Sequence, residues 1–332
     1  MLKKARKERL VWLDIMITLL TLELMSYFYY GLCSVFLAGI CVLTGFAAEL
    51  VSVRLMKRKF TADDLTCTSD ALILALMFPA VMDYHISVIA VLFAIIVAKN
   101  LFGGRLNMIF SPAAAAYVFV LTSWERQLLQ YTEPHVKTGF FETPDNLVKS
   151  ASYIFDHTGT FNHTDFEVLL GNFSGPAGAV SILLLAVAAV VLMMRRSISA
   201  GAFLGTVFGT GLFAVITPMV SSRADSLKYS LVTNMVLFSA VYIVSDVRIA
   251  PKRDYYAFFY GLFIGIISYI LVLTGAKENA IVIVSVLFTP IALGFRHLEK
   301  QIDKAAQEHA LAEAAAGTLD VTAAGEEAVS DD

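Results

Sequence analysis

The chain has 332 residues, of which 58% are hydrophobic and 16% charged, with a net charge of −3 and a mean hydropathy of +0.71. These proportions exclude an ordinary soluble globular domain, and they give no excess of positive charge that would favour binding to nucleic acid. Because apolar stretches recur along most of the chain, we predict an all-α polytopic membrane protein in contact with lipid.

The three cysteines carry no recognisable chemical pattern. Cys33, Cys41 and Cys67 fall in or beside apolar stretches, without C-x-x-C or Cys/His spacing. We therefore predict neither a disulfide framework nor a metal or iron–sulfur site, and we find no pattern of catalytic residues. The first apolar stretch is long enough to cross a membrane by itself, so no cleavable signal peptide is expected.

In chain order, the apolar stretches predict ten membrane-spanning helices. The shortest is Asp70–Met82, where Pro79 interrupts the end, so a broken or partly re-entrant segment is expected there. The predicted spans are Leu10–Tyr29, Leu32–Val51, Asp70–Met82, Ile86–Lys99, Phe110–Ser123, Ala177–Met194, Ala200–Val220, Leu231–Val247, Tyr255–Thr274 and Ala280–Phe295.

The distribution of Lys and Arg predicts the orientation. With the N-terminus in the cytoplasm, 19 of the 25 Lys and Arg residues fall on the cytoplasmic side and six fall outside. Because cytoplasmic loops carry the excess of positive charge, both termini are predicted to be cytoplasmic. The six outer residues are Arg126, Lys137, Lys149, Arg223, Lys228 and Lys277.

Five spans, a long polar loop and five more spans predict two inverted five-helix repeats. In proteins built this way, binding sites lie near the midplane, at helices interrupted by Gly or Pro. After the last span, the chain is rich in alanine and then acidic, which predicts a short surface helix and a disordered tail. The predicted units are a basic N-terminus (1–9), a first half (10–124), an outer loop (125–175), a second half (176–298) and the tail (299–332).

The segment Lys99–Ala115, K-N-L-F-G-G-R-L-N-M-I-F-S-P-A-A-A, joins two predicted spans on the cytoplasmic side. Gly103, Gly104 and Pro112 do not suit a plain helical hairpin, because glycine permits unusual backbone angles and proline lacks an N–H group. Non-helical backbone at membrane depth survives only when it is buried in protein or lines a cavity. The segment is therefore either a tight polar turn or part of a binding site.

Four stretches resemble the family formed by the D-type subunit of the Rnf electron-transport complex and its relative, the B-type subunit of the Na+-translocating NADH:quinone reductase. In the segment just described, Phe102, Gly103, Gly104, Asn107, Phe110, Pro112 and Ala113 match the family form F-G-G-x-G-x-N-x-F-N-P-A, and Ser111 replaces Asn. The other three stretches are D-L-T-C-T-S-D-A-L-I-L-A-L-M-F-P from Asp64, L-G-N-F-S-G-P-A-G-A-V-S from Leu170 and S-D-V-R-I-A-P from Ser245. The resemblance spans roughly residues 10 to 298.

The resemblance implies a flavin-carrying component of a bacterial inner-membrane redox complex, with an FMN esterified to a hydroxyl in the loop after the fifth span. The family pattern resembles D-x-x-[ST]-x-A-T, and N-L-V-K-S-A-S at Asn146–Ser152 places Ser152 at the acceptor position. Asn146 and Lys149 depart from this pattern, so a polar loop without an ester stays an alternative. The other residues predicted to contact flavin, either FMN or riboflavin, are Gly103, Gly104, Asn107, Pro112 and Asn172.

The resemblance therefore implies a flavin-carrying protein that relays electrons within or across the membrane, together with the other subunits of an Rnf-like complex and with coupling to Na+ or H+ movement. We do not expect an enzyme that acts alone, because no substrate-oxidising pattern is visible. Two alternatives remain open. One is a small-solute transporter or channel with inverted repeats, and the other is a membrane anchor that passes electrons to an extracytoplasmic flavoprotein without carrying covalent FMN.

Overall fold

The computed structural model describes residues 2–102, 104, 108–136, 147–160, 163–220, 222–275 and 278–327, with side chains except those of residues 2–9, 62–63 and 309–327. These residues are mainly helical, and their β-structure is limited to one antiparallel bridge between Tyr131 and Val148. The helices are α1 (Leu2–Tyr30), α2 (Leu32–Leu55), α3 (Thr66–Met77), α4 (Tyr84–Leu92), α5 (Pro112–Ser123), α6 (Glu125–Leu128), α7 (Ala151–Thr158), α8 (Asp165–Leu170), α9 (Ile182–Met194), α10 (Ala200–Ile216), α11 (Arg223–Val232), α12 (Val236–Ser239), α13 (Asp254–Leu273), α14 (Ala280–Leu287) and α15 (Thr289–Glu327).

By length and composition, four helices in the described part of the chain could cross a membrane alone. Two further pairs, bent by 55° and 42° at short breaks, each qualify when the pair is taken together, which raises the number of candidate spans to six. Four shorter apolar helices have 10–17 residues: α3, α5, α9 and α10. The fold class predicted from composition is therefore confirmed as all-helical with several apolar helices.

Helix boundaries differ from the prediction where backbone geometry ends a helix. α5 begins at Pro112 rather than Phe110, because proline suits the first helical position. The predicted span Leu231–Val247 is broken, since Asn234 and Met235 have φ angles of 54° and 56° that a right-handed helix cannot contain. Two helices continue in π-helical turns, at Phe93–Leu101 after α4 and at Ala240–Val244 after α12.

The last apolar segment and the tail also differ from expectation. α14 ends at Leu287, and α15 begins at Thr289 with Pro290 in its first turn. The sequence predicts a short surface helix and then a disordered tail, whereas α15 continues to Glu327. The physical reason is that Ala, Glu, Gln, Lys and Leu dominate this stretch, all strong helix formers, and no proline follows Pro290.

Hydrogen bonds gather the loops at two ends of the molecule. One end is called the basic-loop end here, after the predicted loops rich in Lys and Arg. There the Trp12 Nε1–H donates to the Thr68 hydroxyl, and the Ser199 N–H donates to the Ser245 carbonyl. At the other, the long-loop end, the described part of the loop 124–175 contacts the end of α1, where the His135 N–H donates to the Tyr29 carbonyl. Trp12 and Tyr29 both lie on α1, about 26 Å apart along a helix axis, which separates the two ends.

One core joins the first and second halves of the chain. The fully buried side chains of Leu76 and Tyr117 belong to the same apolar cluster as Phe238, Tyr260 and Val282. Packing is closest between α10 and α13, where backbones touch at glycines. A Cβ atom at Gly205 would lie 2.1 Å from the Phe258 carbonyl oxygen. This contact follows the small-residue packing typical of membrane helices.

Candidate functional site

A buried ion triad joins the first half to the second at the basic-loop end. Arg248 donates to both oxygens of Asp70, with Nη2–Oδ1 and Nη1–Oδ2 distances of 2.6 and 3.0 Å. Its Nε also donates to Asp246 Oδ2 at 2.8 Å. Asp70 is fully buried in α3, and the side chain of Arg248 is 16% exposed. Planar, bidentate pairing of this kind holds two elements in a defined geometry.

A second buried cluster surrounds Glu49 at the same end. Lys99 Nζ lies 3.2 Å from Glu49 Oε2, and Asn100 Nδ2 donates to the same oxygen at 3.0 Å. Arg58 bridges Glu49 and Asp64 with distances of 2.9 and 2.7 Å. Glu49 and Lys99 are essentially inaccessible to solvent. The beginning of the segment Lys99–Ala115 is thus anchored on α2 by paired charges, the condition under which buried ions are tolerated.

The family stretches that begin at Asp64 and Leu170 meet through their backbones. The Gly178 N–H donates to the Leu76 carbonyl at 2.8 Å, and the Ala177 N–H donates to the Phe78 carbonyl at 3.1 Å. The Leu76 bond satisfies a carbonyl group at the C-terminus of α3, which ends inside the protein. A Cβ atom at Gly178 would lie 2.6 Å from Leu76 Cβ, so this approach requires glycine.

Those residues predicted to contact flavin that the structure describes are not gathered at one place. Gly104 has a φ of 66°, and Pro112 is the first residue of α5, both at the basic-loop end. Asn172 lies just after α8, where its N–H donates to the Glu167 carbonyl at 2.9 Å. Gly103 and Asn107 lie outside the described residues.

Ser152, the predicted acceptor of the flavin ester, lies at the long-loop end in the first turn of α7. Its side chain is 7% exposed, and its Oγ accepts the Asn234 N–H at 2.9 Å. Asn234 also donates from Nδ2 to Asp156 Oδ2, one turn along α7, at 2.9 Å. The Ser152 hydroxyl therefore helps to dock α7 onto the break between α11 and α12.

Next to α7, the connection before α14 places a carboxyl group inside the protein. Ser150 caps α7 by accepting the Tyr153 N–H at 2.9 Å, and its hydroxyl donates to Glu278 Oε1. The Asn279 N–H donates to Asn234 Oδ1 at 3.1 Å, and Asn279 Nδ2 donates to the Tyr117 hydroxyl at 2.9 Å. Polar groups from α5, α7, the break between α11 and α12, and the connection before α14 thus meet in one place at the long-loop end.

An open pocket of about 750 Å³ lies over this convergence. Its wall carries the ring of Tyr153, which stacks on His157 with centroids 4.0 Å apart and has Lys149 Nζ 5.1 Å from its own centroid. Polar side chains that line the pocket include Glu125, Arg126, Asp156 and Glu278.

Burial shifts the acidity of the two carboxyl groups at this pocket. Desolvation raises the pKa of Asp156 to about 6, although the hydrogen bond from Asn234 opposes the shift. Desolvation also raises the pKa of Glu278 to about 7, opposed by the hydrogen bond from Ser150 and reinforced by the charge of Asp156. Both carboxyl groups are therefore weaker acids than their exposed counterparts.

The sequence model of the NQR2, RnfD, RnfE family matches residues 2–295. The chain belongs to this family. It is 26% identical over 264 residues to the D-type subunit of the Na(+)-translocating ferredoxin:NAD(+) oxidoreductase complex of Acetobacterium woodii, an alignment that covers 79% of this chain and 80% of that protein.

Relatives named as the D-type subunit of the ion-translocating oxidoreductase complex match shorter stretches. The protein of Shewanella frigidimarina is 36% identical over 114 residues, covering 34% of this chain and 32% of that protein. The protein of Vibrio cholerae O395 is 32% identical over 131 residues, or 39% and 37% of the two chains. The family recognised from the four stretches is therefore confirmed.

A flavin in this NQR2, RnfD, RnfE family member would find suitable chemistry in the pocket but not at Ser152 as it is packed here. The volume lies within the range of about 300–1,000 Å³ that is usual for small-molecule sites, and Lys149 and Arg126 provide cations for a phosphate. The Ser152 hydroxyl lies beneath the pocket against Asn234, so an ester there requires that contact to open.

In this family member, Glu278, Asn279 and Asn234 are the site residues that sequence reasoning missed. The signal was present for two of them, because Glu278 and Asn279 directly precede an apolar stretch, as Ser111 precedes α5. Asn234 carried no comparable signal in the sequence. It lies at a helix break, and the stretch around it was predicted to be one continuous helix.

Proposed function

We propose that this chain is the D-type subunit of an Rnf-like ion-translocating electron-transport complex in a bacterial cell membrane. The observation that carries the proposal is the 264-residue alignment with the Acetobacterium woodii protein, which covers most of both chains. The structure supports it, because residues of distant family stretches, such as Asp70 and Arg248, lie in direct contact. The partners would be the other subunits of that complex.

In the proposed topology, the chain crosses the membrane ten times in two inverted five-helix repeats, with both termini in the cytoplasm. Four long helices, two bent pairs and four short apolar helices account for ten segments. The short helices α3 and α5 would be the third and fifth segments of the first half, and the bent pairs α11–α12 and α14–α15 would take the corresponding places in the second. Short or broken segments in corresponding positions are typical of inverted repeats. The long-loop end would then face away from the cytoplasm.

The proposed cofactor is FMN in the long-loop pocket, with riboflavin as the second candidate. A bound flavin supplies the electron-transfer chemistry, and the protein supplies binding and orientation. Lys149 and Arg126 would hold the phosphate, and the ring of Tyr153 would offer a stacking surface. Covalent attachment at Ser152 stays a prediction, and it requires the first turn of α7 to release Asn234.

The experiment is affinity purification of the tagged chain from membranes of its native host, followed by denaturing gel electrophoresis under ultraviolet light. We expect the other complex subunits to copurify and the tagged band to fluoresce. The Ser152→Ala variant should lose that fluorescence, whereas the matched variant Ser150→Ala, two residues away at the start of α7, should retain it.

Contrary outcomes distinguish the alternatives. A flavin-free band within an intact complex would remove the covalent flavin and favour a membrane anchor for electrons. A flavin-free preparation without copurifying subunits, combined with solute uptake in proteoliposomes, would overturn the redox function and favour a transporter.

A further inference from the structure

Glu278 has one carboxyl oxygen without a hydrogen-bond partner among the described residues. The residue is 9% exposed, Ser150 donates to its Oε1, and its Oε2 is the unpartnered atom. An ionised carboxylate in this position is penalised, because a buried charge keeps neither its water nor a full set of donors. A proton on Oε2 removes the charge and leaves the contact between Ser150 and Oε1 in place.

A second buried polar group interacts electrostatically with the Glu278 carboxyl group. Tyr131 is 1% exposed, and its hydroxyl also has no hydrogen-bond partner among the described residues. Burial raises the pKa of Tyr131, and the charge of Glu278 raises it further, so the two groups interact electrostatically. The residue next to Glu278, Asn279, donates from Nδ2 to the Tyr117 hydroxyl at 2.9 Å. A phenol can accept or donate, so Tyr131 complements a carboxyl in either protonation state.

The route for exchange is the pocket above. Glu278 lines the pocket of about 750 Å³, which has room for many water molecules. The carboxyl group is thus buried in the protein and at the same time lies in the wall of a pocket that water can enter. A buried titratable group with access to water on one side is the arrangement that reversible proton binding needs.

Titratable groups on several neighbouring elements surround Glu278. Asp156 on α7 opposes its ionisation, and Lys149, just before α7, favours it. Tyr117 on α5 and Tyr131 present neutral phenols. Three further titratable groups line the same pocket: Glu125, Arg126 and His157.

We propose that the floor of this pocket is a proton-binding site, with Glu278 as the acceptor and Tyr131 as its buried neighbour. One proton passes from a hydronium ion in the pocket to Oε2, giving a neutral carboxylic acid and a water molecule, and the reverse step restores the carboxylate. The site goes beyond the proposed electron-transport function, because it needs neither the flavin nor the partner subunits.

The test is pH-difference infrared spectroscopy of the purified full-length chain in lipid nanodiscs. A neutral carboxylic-acid band should appear as the pH falls, with a midpoint near pH 7, and Glu278→Gln should remove it. Asp156→Asn should keep the band and lower its midpoint, because a repelling carboxylate is lost. Ser150→Ala should raise the midpoint, because the ionised form loses its donor.

Three results would overturn the site. The band could persist unchanged in Glu278→Gln, which would assign it to another carboxyl group. The midpoint could fall when sodium chloride replaces choline chloride at constant ionic strength, which would make Oε2 a ligand of a metal cation rather than a proton. If Glu278→Gln does not fold, the test rests on Asp156→Asn and Ser150→Ala, which should shift the midpoint in opposite directions. The absence of these shifts would contradict the proposal.

Discussion

Arg248 and Asp70 are 178 residues apart in the sequence, yet their side chains form two hydrogen bonds of 2.6 and 3.0 Å inside the protein. Asp246 binds the same guanidinium through Nε, so one cation holds two carboxylates. The triad links α3 in the first half to the connection before α13 in the second. It therefore fixes how the two halves of the chain meet at the basic-loop end.

Replacing Arg248 by Met should destabilise the protein strongly. Removing the cation leaves two buried carboxylates without their partner, and the loss of one member of a buried pair costs about 3–5 kcal/mol. The measurement is the thermal unfolding midpoint of the purified protein in detergent. Arg248→Lys should recover only part of the stability, because an ammonium group cannot bind two oxygens side by side.

The matched control is Arg54→Met, at an exposed position near the end of α2. It should change the midpoint little, since exposed charges contribute about 0–1 kcal/mol. Equal effects of the two substitutions would show that the triad does not stabilise the fold.

The Glu49 cluster predicts which of two charge-removing substitutions destabilises the protein more. Lys99→Met should cost more stability than Arg58→Met, because Lys99 is 1% exposed whereas Arg58 is 34% exposed and its interactions are screened by solvent. Both variants keep the apolar stem of the side chain, so the comparison isolates charge. Unfolding midpoints measured side by side check the order, and a larger loss for Arg58→Met would contradict it.

Gly205→Ala should disrupt the contact between α10 and α13. The added methyl group would lie 2.1 Å from the Phe258 carbonyl oxygen, so the two helices must separate, at a cost of about 1–3 kcal/mol or more. Gly39→Ala on α2 is the matched control, with no atom within 4 Å of the new methyl group, and should be neutral or slightly stabilising. Thermal unfolding midpoints of both variants test this difference. Equal midpoints would contradict the close contact between α10 and α13.

Stability should fall as the pH rises from about 4.5 to about 7. Glu278 has an ordinary pKa of 4.5 and a folded-state pKa of about 7, so the folded protein holds more protons than the unfolded chain in this window. Its contribution is fully present below pH 4.5 and is lost as the pH rises through 7, on the order of 3 kcal/mol. Asp156 acts in the same direction, between pH 3.8 and about 6.

Glu278→Gln separates these two contributions. The amide cannot titrate, so the decline between pH 6 and 7 should vanish, and below pH 6 only the shallower decline that comes from Asp156 should stay. Unfolding midpoints recorded at half-unit pH intervals make the comparison. An unchanged profile in the variant would mean that the folded-state pKa of Glu278 is not raised.

Asn234→Ala should release α7 from the membrane helices. The substitution removes the bonds from Nδ2 to Asp156 and from the Asn279 N–H to Oδ1, and each lost bond to a buried group costs about 1–3 kcal/mol. Amide hydrogen exchange across Ala151–Thr158 should accelerate, while exchange in α10 and α13 stays slow. Uniform acceleration across all helices would indicate global destabilisation rather than local release.

Much about this protein follows from the sequence alone. The membrane class, the order of the apolar segments and the family are visible because hydrophobic length and local motifs are properties of contiguous residues. The separation between the basic loops and the long loop also follows, and the contacts at the two ends of α1 agree with it.

Only the tertiary structure decided which polar residues meet. The sequence places Arg248 in a positive loop, but its side chain is committed to Asp70, and it places Ser152 in a polar loop, but its hydroxyl is buried against Asn234. Only the packing of α5, α7 and α14 around Glu278 makes it a candidate site. The physical reason is that burial and charge pairing depend on groups far apart in the chain, and no local pattern encodes which distant partner will satisfy a buried charge.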